Sequence, residues 1–442
     1  MAEAFIRQIC DVVTGPVALS AADEGAALLA FEDTMAVAHA GWHEPVTQAL
    51  LPLYRGAGAP APGAALLDGG AAVNAESAAL LHATAGHALD YDDVHLVSVT
   101  HPSVVIVPAL LVLLGRDPAL APRALPAFAV GVGVNIALGR VLGFSHYDKG
   151  WHATSTIGPV AGAAAAAHLL GLDAAATRRA LALAAAQSGG LQRNFGTMAK
   201  PVQAGFAAAA AVRAALMAEA GVSGADDIFG PRGFFDLHGG PEPGEDPAAV
   251  AILPDARSLS RKLFPCCYMT HRIIEAGLRV HAQLGAAPPA DVAITLDVPF
   301  GTMRPLHVTD PRTGLEAKFC AGYTLAAALV QGRVGLRDFE DDTVGRPAIR
   351  ALMGRITITE DRLEGDMPVG IAHGAVRLAL RQGNASLAEA EVHHFPGSPD
   401  APADATRIAA KLADCLDLYT RRGGGPLSTD TFRANLRRLT AA

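Results

Sequence analysis

Stretch after stretch of this chain has the length of a helix, is built of alanine and leucine, and is apolar on most of its sides. Ile157 to Leu170 contains Ala161-Gly-Ala-Ala-Ala-Ala-Ala167, and Ala204 to Ala220 carries an unbroken run from Ala207 to Ala211. A helix without a polar face has to be enclosed by others, and side chains this small let helix backbones approach closely. Gly25 to Gly41, Ala71 to Leu89, Val104 to Gly115, Arg123 to Leu142 and Ala174 to Ser188 read the same way, with Gly, Pro or Asp at their ends. Asp173 is placed to cap the helix from Ala174, and Gly189-Gly190 to stop it. Only 5% of the residues are aromatic while 51% are apolar, so small aliphatic side chains must supply the core.

After Pro265 the pattern changes. Asp291 to Val298 and Arg355 to Thr359 alternate as strands do, and Ala375 to Leu380 and Leu387 to His393 are weaker strand candidates. Tyr323 to Gln331 lies between them as a helix, Pro396 to Asp404 reads as a returning linker, and Ala405 to Leu418 is helical again. The expected fold is mainly α, with a large all-helical domain of residues 1–265 and 405–442 and a smaller α+β domain of residues 266–404.

Charge and cysteine content exclude several classes of function. With 35 basic and 43 acidic residues the formal charge is −8, and no basic run exceeds two residues, so no nucleic-acid partner is expected. Gly131, Gly133 and Asn135 interrupt the apolar stretch Leu125 to Gly139, which favours a buried helix over a membrane span. Glu3, Arg7 and Asp11 break up the N-terminus, so no signal peptide is expected. The five cysteines (Cys10, Cys266, Cys267, Cys320, Cys415) have no metal-type spacing, and reduced thiols in the cytoplasm are the simplest account.

Against this apolar background one segment stands out. His87-Ala-Leu-Asp90-Tyr-Asp92-Asp93-Val-His95, followed by Thr100-His101-Pro102, gathers histidines and aspartates between core-forming flanks. Such a cluster is costly to desolvate and marks a candidate site. Four further polar islands follow. Lys149-Gly-Trp-His152-Ala-Thr-Ser-Thr156 opens a Gly/Ala helix, where hydroxyls and backbone N–H groups can meet an anion. Lys200 stands alone between apolar segments, and a lysine is rarely buried without a counter-charge. Lys262-Leu-Phe-Pro-Cys-Cys267 with His271-Arg272 falls at the inferred domain junction, and Lys318-Phe-Cys-Ala-Gly-Tyr323 opens a helix. General bases (His101, His152, Asp90), cationic anchors (Lys200, His271, Arg272) and a hydroxyl (Tyr323) suit proton removal beside a carboxylate of a small polycarboxylate. Asp93, His95 and Thr156 join Arg272 as candidate substrate contacts.

In order and spacing, these islands resemble the MmgE/PrpD family. Its pattern runs H-A-x-D-Y/F-D-D-T-H with H-P-S, then G-x-H-x-T, G-T-x-x-K, K-x-Y/F-P-C-C with a later H, and a K-F-S-x-x-Y-like stretch. The matching segments here are His87 to Ser103, Gly150 to Gly158, Gly196 to Lys200, Lys262 to His271 and Lys318 to Tyr323. The resemblance implies a large helical domain built from both chain ends, a smaller α+β lid, a homodimer and no iron–sulfur cluster. It also implies active-site positions at Asp90, His101, His152, Lys200, His271 and Tyr323, with neither cofactor nor metal. The chain departs from the pattern at Val94, where threonine is frequent, and at Cys320, where serine is common. Gln203 and Phe206 stand where a histidine and then an arginine usually follow the lysine.

The resemblance implies a lyase of the 2-methylcitrate dehydratase type. Cis-aconitate decarboxylase-like and iminodisuccinate epimerase-like chemistry are the alternatives, since all three develop carbanion character beside a carboxylate. Asp90-Tyr-Asp-Asp93 also fits the D-x-D-D acid of helical terpene cyclases, and the His/Asp mixture a divalent metal. With two tryptophans and six tyrosines, however, the chain has little aromatic lining to offer a terpene.

Overall fold

The computed structural model describes residues 2–55, 63–70, 72–239, 244–361 and 374–441. The chain divides into two compact units, Met1–Leu259 with Cys415–Ala442, and Ser260–Asp414. Helices of the first unit are α1 (Ala2–Thr14), α2 (Ala21–Ala40), α3 (Pro45–Arg55), α4 (Ala75–Ala88), α5 (Pro102–Arg116), α6 (Ala124–Asp148), α7 (Ala153–Leu170), α8 (Ala174–Ala185), α9 (Ala199–Glu219) and the short α10 (Phe234–His238). The second unit contributes α11 (His271–Leu284), α12 (Gly314–Ala317), α13 (Ala321–Gln331), α14 (Asp341–Val344), α15 (Pro347–Met353) and four strands. Helix α16 (Ala405–Arg421) and α17 (Thr429–Thr440) close the chain.

In the first unit every residue of α7 from Ala153 to Leu169 is buried, because α6, α8 and α9 pack around it. Small residues make this possible. A Cβ on Gly162 would sit 2.7 Å from the Ala211 methyl of α9, and one on Gly131 2.8 Å from that of Ala165. At Gly205 of α9 a Cβ would stand 2.2 Å from the Thr84 hydroxyl and 2.7 Å from the Leu80 carbonyl of α4. This contact brings the start of α9 to the end of α4. Local signals set the helix ends: Asp173 accepts the Ala176 N–H at 2.7 Å, and Ser20 and Asp23 form a reciprocal capping box on α2.

Two helical stretches, Pro118–Asp148 and Ala199–Glu219, are long and apolar enough to cross a membrane, and 78% and 72% of their most apolar windows are buried within the protein. All five cysteines are free and buried.

The second unit holds a mixed sheet in the order β2-β1-β3-β4, from β1 (Ala293–Val298), β2 (Ile356–Glu360), β3 (Val376–Gln382) and β4 (Ala385–Val392). β1 runs parallel to β2 and antiparallel to β3, and β3 and β4 are antiparallel neighbours. In β1, Ile294, Leu296 and Val298 are buried while Ala293 and Thr295 are exposed, the period-two pattern of a sheet covered on one face. Helix α11 packs on β3 and β4 and against α13. The architecture is thus mainly α with one small mixed sheet. Each expected strand lies within two residues of an observed one, and the Tyr323–Gln331 helix starts two residues earlier, at Ala321. The helix expected from Ala71 begins at Ala75; Ala71 itself lies outside the described residues.

Candidate active site

In the first unit, four helix termini converge, the end of α4 and the starts of α5, α7 and α9. Helix α4 ends at Ala88, and Asp90 follows with φ of +54°. Left-handed backbone is unfavourable for a non-glycine residue, though aspartate tolerates it better than most. The turn aims the Asp90 carboxylate at Lys200 in the first turn of α9, with Nζ to Oδ1 at 2.6 Å. Both side chains are buried, and the Lys200 ammonium also stands 5.3 Å from the centre of the Phe195 ring. The counter-charge that a buried lysine requires is therefore Asp90.

Beside this pair lie three imidazoles. His87 sits in the last turn of α4, His101 is the N-cap of α5 and His152 the N-cap of α7. The backbone N–H of His101 donates to the Thr154 hydroxyl at 3.0 Å, tying α5 to α7. Ring centres of His87 and His101 are 4.6 Å apart, and His87 stacks on His152 at 5.8 Å. One oxygen of Asp92 lies 2.8 Å from His87 Nδ1 and 3.1 Å from His101 Nδ1. Burial alone would raise the Asp92 carboxyl, but the two imidazoles outweigh it and hold it well below the usual carboxylate range. An ionised Asp92 calls for Nδ1–H on His87, its hydrogen-bond partner, and favours the same form of His101 at 3.1 Å, which leaves Nε2 as the acceptor nitrogen of His101. The His101 side chain is 14% exposed, and that of Asp92 is fully buried.

His152 has a different partner. Gln203, one turn beyond Lys200, offers its amide nitrogen to His152 Nδ1 at 3.0 Å. Burial drives the His152 imidazole well below its ordinary value, and the neighbouring His87, Lys200 and His101 push it further, so the ring is neutral. The donor atoms of His87, Asp92 and His101 lie within 4.8 Å of one another, close enough to chelate a divalent ion. Proton-sharing between Asp92 and the two rings accounts for the same distances.

The other candidates of this unit, Asp93, His95 and Thr156, have partners within the protein. Asp93 accepts the N–H of Ser103 at 3.3 Å and also its hydroxyl, capping α5. His95 Nδ1 accepts the Ser98 N–H, and Ser98, Thr100 and Asn135 complete a buried polar network. The Thr156 hydroxyl is 2.7 Å from Nε2 of His146, whose Nδ1 faces the His238 carbonyl.

In the second unit, His271 opens α11, fully buried between the rings of Phe264 and Tyr268. Arg272 donates to the carbonyls of Gly374 and His393 and lies 4.2 Å over the Phe395 ring. Its burial lowers the guanidinium to about 10. The Tyr323 hydroxyl donates to the Asp338 carbonyl, and burial pushes the phenol up. Lys262 is among the largest fully buried side chains. A cavity of about 390 Å³ opens at the start of α13, lined by Met303, Cys320, Gly322, Arg350 and Met353 among others.

His87 and Asp92 lie in the cluster that the sequence singles out, but neither had a role of its own there, and Gln203 was no site candidate. His87 and Asp92 are five positions apart, across the end of α4, so no helical or strand period joins them. Gln203 carries no charge and registered only as a departure from a motif.

The sequence matches the MmgE/PrpD N-terminal domain over residues 17–245 and the MmgE/PrpD C-terminal domain over residues 264–423. It is 29% identical to the human cis-aconitate decarboxylase over 295 residues, which is 64% of this chain and 60% of the relative's length. A cis-aconitate decarboxylase of Aspergillus terreus is 25% identical over 356 residues, 73% of this chain and 71% of the relative. The 2-methylcitrate dehydratase of Cupriavidus necator is 30% identical over 165 residues, 36% of this chain and 34% of the relative. With both domains of the family present in order, the chain belongs to the MmgE/PrpD family.

Proposed function

We propose that this protein is a lyase acting on a small polycarboxylate, and that decarboxylation of a cis-aconitate-type acid is its first activity. The observation that carries the reading is the buried Asp92 that turns His101 toward proton transfer beside the Lys200–Asp90 pair. The Homo sapiens and Aspergillus terreus relatives, both cis-aconitate decarboxylases, favour decarboxylation over dehydration. Dehydration is the second reading, favoured by the Cupriavidus necator relative.

In decarboxylation the C–C bond to one carboxylate breaks as CO2 leaves, and its electron pair passes into the adjacent unsaturated system. A carbon of that system then takes a proton. Protonated His101 is the donor, and the neighbouring Asp92 carboxylate stabilises the imidazolium before transfer. In dehydration His101 works in the other sense, taking the proton beside a carboxylate and handing it to the departing hydroxide, which leaves as water. Lys200 has three N–H donors, so it can hold a substrate carboxylate while keeping Asp90. His271 and Arg272 stay candidates for carboxylate contacts and Tyr323 for a catalytic role. The reaction needs no redox partner, and we propose that it proceeds without a bound metal, as a cytoplasmic homodimer. Phe206 and Met217, 56% and 40% exposed on one side of α9, give a second copy an apolar surface to cover.

The test is to incubate the purified, EDTA-treated protein with cis-aconitate, citrate, 2-methylcitrate and iminodisuccinate and follow proton NMR in D2O. Release of CO2 with one deuterium entering the product is the expected result. Water addition or loss would favour the second reading, and exchange without net conversion would favour epimerisation. Inertness toward all four acids would refute the proposal.

A further inference from the structure

We propose that Gln203 is a positioning residue that fixes His152 in the Nε2–H form, making it a neutral hydrogen-bond donor to a substrate oxyanion rather than a carrier of protons. The role rests on the carboxylate chemistry proposed above; the tautomer itself does not.

Trp151 and Leu191 form an isolated bridge, with the His152 N–H donating to the Gly190 carbonyl and the Gln192 N–H to the Gly150 carbonyl, each at 3.0 Å. The backbone around Leu191 is therefore held in place. Its N–H donates to Gln203 Oε1 at 2.6 Å, and the Asn194 amide donates to the same oxygen at 3.3 Å. A backbone N–H can only donate, so the oxygen of the Gln203 carboxamide must face Leu191 and its nitrogen must face the other way. That nitrogen meets His152 Nδ1 at 3.0 Å, with the Leu191 carbonyl at 3.4 Å as its second acceptor.

An amide NH2 only donates as well. His152 Nδ1 must then carry the lone pair, and a neutral ring carries its hydrogen on Nε2. Protonating Nδ1 would set two donors against each other. The groups around His152 oppose it too: Lys200 and the His87 and His101 rings disfavour a second positive charge, and only Asp92 favours one. His152 Nε2 is buried and has no hydrogen-bond partner among the described residues. A buried donor left unpaired is costly, and such exceptions call for a functional reason. The matching acceptor is an oxygen bearing negative charge, a carboxylate or the enolate-like oxygen that develops beside one. A neutral imidazole with a depressed pKa can act in this way, polarising an oxygen without giving up its proton. Asp92 and Gln203 thus set neighbouring histidines in opposite tautomers, one for proton transfer and one for oxyanion binding. In the family motif this position carries histidine, which can donate or accept; glutamine anchored on Leu191 leaves one choice.

The test reads the tautomer directly. In protein labelled with 15N-histidine, long-range proton–nitrogen correlation at pH 7.5 should show the His152 ring, assigned by its loss in His152→Asn, as the neutral Nε2–H form. A neutral Nδ1–H form or an imidazolium would overturn the proposal, whatever the substrate proves to be. Gln203→Glu keeps length and shape but offers an acceptor to Nδ1. It should switch the ring to the neutral Nδ1–H form, which strips Nε2 of its hydrogen, and lower kcat roughly 10²–10³-fold, the usual loss of one oxyanion donor, with KM changed less than about threefold. Undiminished kcat in folded Gln203→Glu would also overturn it. Failure of the wider functional reading has a separate mark, inertness of the wild type toward every acid tested while the Nε2–H signature persists.

Discussion

Asp90 and Lys200 show how costly features collect at one place. Asp90 adopts left-handed backbone, and its charge and that of Lys200 are both taken out of water. Either cost makes sense only if the other group is present. Removing one partner of a buried pair leaves an uncompensated charge, at about 3–5 kcal/mol. Lys200→Met should therefore lower the unfolding free energy by about that amount in urea titration, and Lys200→Met with Asp90→Asn should recover much of it. If the single variant unfolds at the wild-type urea concentration, the pair is not the buried couple described. From the sequence alone, Lys200 either reaches solvent or faces an anionic ligand. That the partner would be Asp90, more than a hundred positions away, was not legible, because no spacing rule links separate helices.

Among the elements, the close approach of α4 and α9 matters most for the site. Gly205 is where it happens, since any Cβ there would collide with Thr84 and the Leu80 carbonyl. Gly205→Ala should destabilise the protein by about 1–3 kcal/mol through overpacking. It should also reduce turnover, because α9 carries Lys200 and Gln203 toward α4. A thermal melt and a kcat measurement on the same preparation test both effects; an Ala variant matching wild type in both would contradict the contact. Elements were legible where periodicity is strong. Asp291 to Val298 and Arg355 to Thr359 alternate as strands do, the segments of β3 and β4 more weakly, and α7 and α9 announce themselves by their alanine runs. Helices α1, α3 and α11 were passed over because charged and polar residues interrupt their apolar positions. His271 and Arg272 accordingly read only as a polar island at the domain junction, whereas they form the first turn of α11.

At the scale of the whole molecule, an alanine-packed core encloses an unusual number of neutral histidines. Burial lowers His82, His95 and His146 from the ordinary 6.5 to about 4. Between those values the unfolded chain binds a proton at each ring that the folded chain refuses, so stability falls as the pH falls. The contribution is fully present above about pH 6.5 and lost by about pH 4, on the order of 3 kcal/mol for each ring. Urea midpoints should drop steeply between pH 6.5 and pH 4 and stay nearly flat from pH 7 to 8. A midpoint independent of pH across that range would show that these rings are not buried neutral. The polar islands were visible in the sequence as departures from an apolar background, and Asp90, His101, His152 and Lys200 do meet. Which histidine takes which tautomer depends on Asp92 and Gln203, and only the folded arrangement reveals those contacts. The most direct test of the site is therefore kcat for Asp92→Asn, in a variant whose circular dichroism matches wild type, on whichever acid the wild type converts. Loss of the carboxylate that holds His101 should lower kcat roughly 10²–10⁴-fold, whereas a kcat equal to that of the wild type would contradict the assignment of His101 to proton transfer.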